Sequence, residues 1–189
     1  MAGATARFDV SGLSVERPSI AMNTRGMARF LGIDPGPRES AFVVWDGNGV
    51  VESGDFSNGT LAGYLEAANG ITVACEWIES FGMAVGREVF ETVYAIGTFG
   101  AVRPDLRLVP RRDVKLHLCG SLRAKDTNIR QALIDRFGPV GTKKNPGPLA
   151  GISKHRWPAL AVAVTACDLR STDHEASFHK PVLLSTDAL

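Results

Sequence analysis

Cysteine is scarce in this chain of 189 residues: Cys75, Cys119 and Cys167 stand far apart, with no CxxC pair. That spacing leaves out a zinc-ribbon site and a disulfide-stapled scaffold, and the three thiols read as small core hydrophobes in a reducing compartment. Long apolar runs are also missing. Stretches such as Ala159 to Cys167 fall well short of the ~20 residues that span a bilayer. No signal-peptide h-region marks the first residues, so the expected location is the cytoplasm, with no membrane partner. No segment repeats, and one domain is the default.

What the chain does have is a core-forming composition, 44% hydrophobic and 22% charged, with length enough for one well-buried core. The net charge of +1 hides an asymmetry, because residues 103–156 hold thirteen Lys and Arg against four Asp and Glu. The segment carries +9 and the remainder −8. A basic segment beside an acidic remainder suits a protein that grips a polyanion with one face and holds cations with another. A solvated basic surface with no partner is the plainer alternative.

Residues 1–27 are rich in small and polar residues without a sustained period and read as a flexible extension. Met27-Ala-Arg-Phe would make a natural start for a domain opening with a strand. The ordered domain is expected over 28–170, and the residues from 171 to 189 form a polar tail. Phe30 to Ile33, Ser40 to Trp45 and Val50 to Ser53 read as strands, with Asp46-Gly-Asn-Gly49 a hairpin turn between the last two. A helix with an Asn58/Thr60 cap follows, then the β-branched run Ile71 to Cys75, which should pair with the first strand. Val89, Phe90, Val93, Tyr94, Ile96 and Gly97 mark an amphipathic helix leading to a strand at Leu106 to Val109. Crossover chirality makes these later strands parallel neighbours. Helices are expected at Arg111 to Leu118, at Asp126 to Phe137 with Asp126 as N-cap, and at Trp157 to Leu169. Between the last two lies a long Gly, Pro and Lys loop, Gly138 to Ser153, of the kind that is functional or mobile.

This order calls for an α/β, RNase H-like fold, a five-stranded mixed sheet with helices on both faces. It also fits one half of an actin-like or sugar-kinase fold, but an ATPase of that kind needs a second phosphate loop and a much longer chain. Asp34 closes the first strand in Gly-Ile-Asp-Pro-Gly and Glu76 closes the later one. If the strands are neighbours, two carboxylates emerge at one sheet edge, where they repel unless a hard cation such as Mg²⁺ or Mn²⁺ lies between them. Asp34-Pro-Gly is also a turn-making sequence, and a lone strand-end Glu76 is an ordinary surface residue. Glu79 is a weaker ligand candidate, and Asp168 lies too far along its helix to contribute.

Gly32-Ile-Asp34-Pro-Gly36, the strand-terminal Glu76 and His155-Arg-Trp-Pro-Ala159-Leu-Ala-Val-Ala-Val164 together resemble RuvC-type Holliday-junction resolvases, especially the phage-borne branch. The resemblance runs from about Arg29 to Asp168. It implies a Mg²⁺-dependent endonuclease, with Mn²⁺ as a substitute, that cuts branched DNA as a homodimer through Asp34, Glu76 and His155. The family's second late ligand falls on Pro158, which cannot bind a metal, so a non-cleaving branched-DNA-binding protein is the alternative. His155 would serve as a metal ligand or as the base that orients water. Lys115 and Lys125 match phosphate-contacting lysines, with Arg111, Arg112, Arg123 and Arg130 around them and Lys143 and Lys144 on the long loop. Phe81, on the Gly-hinged stretch after Glu76, would stack on a base or wedge the strands apart. Phe81 and Met83 as core or dimer contacts is an equal reading, and the helix from Glu88 to Phe99 is a candidate dimer surface.

Overall fold

The computed structural model describes residues 28–79, 82 and 84–170; the segments 1–27 and 171–189, and Phe81 and Met83 with them, lie outside the described residues. The elements run β1 (Arg29–Asp34), β2 (Glu39–Trp45), β3 (Val50–Ser57), α1 (Asn58–Ala67), β4 (Ile71–Trp77), α2 (Arg87–Val102), β5 (Arg107–Pro110), α3 (Arg111–Cys119), α4 (Asp126–Phe137) and α5 (Arg156–Leu169). The five strands pair in the order β3-β2-β1-β4-β5. The first three form an antiparallel meander, and β4 and β5 add to it in parallel. The Asp46 carboxylate caps the β2–β3 turn by accepting the N–H groups of Asn48 and Gly49, both at 2.9 Å.

Alternation along the strands splits the core in two. Leu31, Ile33, Phe42, Val44, Val73 and Cys75 face α1 and α2. Phe30, Ala41, Val43, Trp45 and Ala74 face α5, with α3 and α4 beyond it. Helix α5 is buried on every side from Ala159 to Ala166, as a helix laid across the middle of a sheet must be. Its fit depends on Gly32 in the central strand, where a Cβ would lie 2.1 Å from the Ala159 carbonyl oxygen and 2.5 Å from the Ala163 nitrogen. Among the described residues, no helix is long and apolar enough to cross a membrane.

Several local expectations need correction. The cap of α1 is Ser57, whose Oγ accepts from the Thr60 N–H at 3.2 Å; Asn58 is the first helical residue and turns its side chain to Gly36 and Ser40. Asp126 is likewise inside α4 rather than capping it, because Lys125 takes the cap position and donates its backbone N–H to Asn128 at 2.8 Å. Helix α2 buries Thr92, Ala95, Ile96 and Phe99 and leaves Phe90 and Tyr94 65% and 79% exposed. Ile96 and Phe99 fill the core beside Thr92 and Ala95, and the stripe of Phe90 and Tyr94 faces outward. The loop from Gly138 to Ser153 is pinned to the body: Leu149 and Ile152 are buried, Val50 donates to the Pro148 carbonyl at 2.9 Å, and Val140 accepts from Gly147. Its tip, with Lys143 and Lys144, is exposed to solvent.

A methyl group at Gly32 has backbone rather than a flexible side chain in its way. Gly32→Ala should therefore lower unfolding stability by about 2–3 kcal/mol, the usual cost of overpacking a core. Urea denaturation with a matched m-value measures it; a midpoint equal to wild type would show that α5 does not press on β1.

Candidate metal centre at the α5 N-terminus

Neighbouring strands bring three carboxylates into one row. Ala41 of β2 pairs with Asp34 on one side and Asp55 on the other. Ile33 pairs with Cys75, so Glu76 follows beside Asp34. Like Gly32, Ala41 and Ala74 in the same pleat, these carboxylates point to the α5 side. Asp34 lies two strand residues past Gly32, and His155 one helical turn before Ala159; these are steps of about 6.6 and 5.4 Å. The contact at Gly32 thereby levels the two side chains, and His155 Nδ1 stands 3.7 Å from Asp34 Oδ2. That is proximity without a hydrogen bond.

The supports around this row were not visible in the sequence. Arg156 clamps the start of α5 to β3, donating from Nε and Nη2 to Asp55 Oδ2 at 3.0 and 2.7 Å and from Nη1 to the Gly151 carbonyl. Lys154, just before His155, has φ of 45°, a left-handed backbone that a non-glycine residue adopts only under constraint. The turn after Asp34 is held by a closed set of bonds: Gly36 N–H to Ser40 Oγ at 3.2 Å, Ser40 Oγ to Asn58 Oδ1 at 2.7 Å, and Asn58 Nδ2 to the Gly36 carbonyl at 3.0 Å.

Glu76 is 8% exposed, and its charge is met by Arg111, whose Nη1 donates to Oε1 at 2.7 Å. Arg111 Nη2 donates to Asp126 Oδ1. Arg111, grouped from the sequence with the phosphate-contacting residues, thus has its guanidinium turned onto two carboxylates. A small cleft beside it is lined by Glu76, Arg111, Asp126, Trp157 and Pro158, among others.

Of the remaining basic residues, Arg112 pairs with Glu79 at 3.2 Å, which takes Glu79 away from the carboxylate row, and Arg130 lies over the Trp157 ring at 5.0 Å. Lys125, Arg123, Lys143 and Lys144 are exposed and Lys115 is half-buried. Asp168 is bound at the far end of α5 by Arg136 and His117, at 2.6 and 2.7 Å, and belongs to the packing of α3, α4 and α5.

Asp34 has its pKa raised from 3.8 to about 7, first by burial and then by the charge of Glu76, with Arg111 pulling the other way. Two carboxylates and an imidazole are the donor types that a hard divalent cation takes, but among the described residues no three His, Cys, Asp or Glu side chains come together as a group that could hold a metal ion. A second ion finds no ligand at Pro158.

The raised pKa fixes a sign. Between pH 3.8 and about 7 the native state keeps a proton on Asp34 that the unfolded chain has lost, so stability falls as pH rises through that window, by up to about 4 kcal/mol. Asp34→Asn should remove this penalty. In EDTA the variant is expected to be more stable than wild type above pH 7, with the gap closing toward pH 4; thermal melts across that range measure it. A gap independent of pH would show that Asp34 does not carry the shift.

The chain matches no protein-family model, and no curated protein sequence matches it significantly. Its structure is similar to that of RuvC from Thermus thermophilus, with a TM-score of 0.56 and 16% identity over 76% of this chain and 96% of that one. It is similar also to T. thermophilus RuvC in complex with Holliday junction substrate, with a TM-score of 0.59 and 17% identity over 77% of this chain and 96% of the other. At these identities the likeness establishes the architecture: the mixed sheet with flanking helices is the RNase H-like fold of RuvC.

Proposed function

We propose that this protein is a Mg²⁺-dependent, structure-selective DNA endonuclease that resolves Holliday junctions or related branched DNA by phosphodiester hydrolysis, in DNA recombination and repair. The observation that carries the reading is the placement of Asp34 and Glu76 on adjacent parallel strands beneath the start of α5, with His155 beside Asp34. A structural neighbour solved with a Holliday junction substrate supports the choice of branched DNA.

In this reading Asp34, Glu76 and His155 hold the metal. When bound, Mg²⁺, or Mn²⁺ in its place, supplies Lewis-acid charge to the scissile phosphate and acidifies the attacking water. His155, exposed, serves either as that ligand or, in place of ligation, as the base that orients the water and accepts its proton. Lys115, Lys125, Arg112, Arg123, Arg130, Lys143 and Lys144 meet backbone phosphates and position the strand without reading bases. Phe81, beyond the residues described, stacks on a base at the junction centre. The outward stripe of Phe90, Val93 and Tyr94 on α2 packs against a second copy, giving a two-fold dimer for a two-fold substrate.

A second reading rests on Pro158 and on the engagement of Glu76 by Arg111: a branched-DNA-binding protein that keeps the fold and basic face without turnover. An end-labelled four-way junction incubated with the protein in Mg²⁺ and in EDTA separates the two. Metal-dependent nicks that disappear in Asp34→Asn are expected. A retarded, uncut junction in both Mg²⁺ and Mn²⁺ would establish the binder instead, and equal affinity for linear duplex would remove the structural selectivity from both.

A further inference from the structure

We propose that Arg111 is the built-in second cation of this centre, a positioning residue whose guanidinium takes the place of a second divalent ion, so that the site holds one metal ion per chain. The inference rests on the metal-dependent reading above and specifies its charge arrangement. Val109 of β5 is paired with Glu76, and Arg111 follows two residues later as the first residue of α3. Strand register therefore delivers this side chain to Glu76. Its two terminal nitrogens engage different carboxylates, Glu76 from β4 and Asp126 from α4, as a bridging cation would.

Electrostatics favours a fixed cation here. Glu76 is nearly buried, and a buried charge without a partner is costly, whereas a guanidinium keeps its charge at any working pH and its planar fork satisfies two acceptors at once. The same cleft contains Pro158, whose side chain has no donor atom for a metal. On that flank the cation that needs no further ligand is the one carried by the chain. Asp34, next to Glu76 in the row and close to His155, is the anchor for the single ion. Asp126, 71% exposed at its side chain, holds the outer nitrogen and keeps the fork aligned on Glu76.

Calorimetric titration of the full-length protein with Mn²⁺, without DNA, tests this. Wild type should bind one ion per chain, with affinity at least about tenfold weaker in Asp34→Asn. Removing the resident charge in Arg111→Met should admit a second ion or tighten the first by about tenfold or more, the scale of one nearby charge. Arg111→Lys, which keeps the charge without the fork, should still admit one ion and no second. Two ions in wild type would overturn the role of Arg111 even if Arg111→Met does not fold, while leaving the metal site standing. So would a folded Arg111→Met variant whose stoichiometry and affinity equal those of wild type. If wild type binds no Mn²⁺, or Asp34→Asn binds as wild type does, the metal-dependent reading fails along with the inference.

Discussion

The contact between Gly32 and helix α5 is the constraint on which the rest of the site depends. With no side chain at that position, the backbone of α5 rests directly on the central strand, and the small residues Ala159 and Ala163 complete the fit. The consequence is positional. The strand leads to Asp34 and the helix back to His155, so one close approach in the core sets two polar side chains from opposite ends of the chain beside each other. Arg156 and Asp55 then lock the helix start laterally, and the Ser40–Asn58 bonds hold the turn that carries Asp34.

Over this scaffold the charges divide into three stations. Arg156 neutralises Asp55 at one end of the row, Arg111 neutralises Glu76 and Asp126 at the other, and Asp34 is left between them with a raised pKa. A folded chain that keeps a half-buried carboxylate at such a disadvantage gives up stability at neutral pH, a pattern that clusters where a protein binds or reacts. Helices α3 and α4 and the long loop, which carry Arg112, Lys115, Arg130, Lys143 and Lys144, pack on the same side of the sheet as these carboxylates.

Much of the architecture could be read from the sequence because it follows from local rules. The Asp46 turn, the continuous apolar run of β2, the β-branched run of β4 and the right-handed crossover force the strand order, and strand order brings Asp34 next to Glu76. The bounds of α4 agree to the residue with its apolar period. What escaped were choices among partners distant in sequence. Arg111 is one basic residue among many in its segment, and nothing local says that it faces Glu76 across the β4–β5 pair rather than DNA. Asp55 could have been found by counting register from Ala41, but Arg156, its partner, lies 101 residues away. Apolar bulk does not tell the two faces of α2 apart, because Ile96 and Phe99 turn inward while Phe90 and Tyr94, equally bulky, turn out.

Under the proposed function, Asp34 and Glu76 form a cation site under the N-terminus of α5. Anomalous diffraction from a crystal soaked in Mn²⁺ addresses it directly, since it locates the ion without relying on turnover. A single anomalous peak is expected within about 2.3 Å of an Asp34 oxygen, the range of hard-cation ligation, with Arg111 still on Glu76. A soaked crystal with manganese elsewhere and none at Asp34 would contradict it.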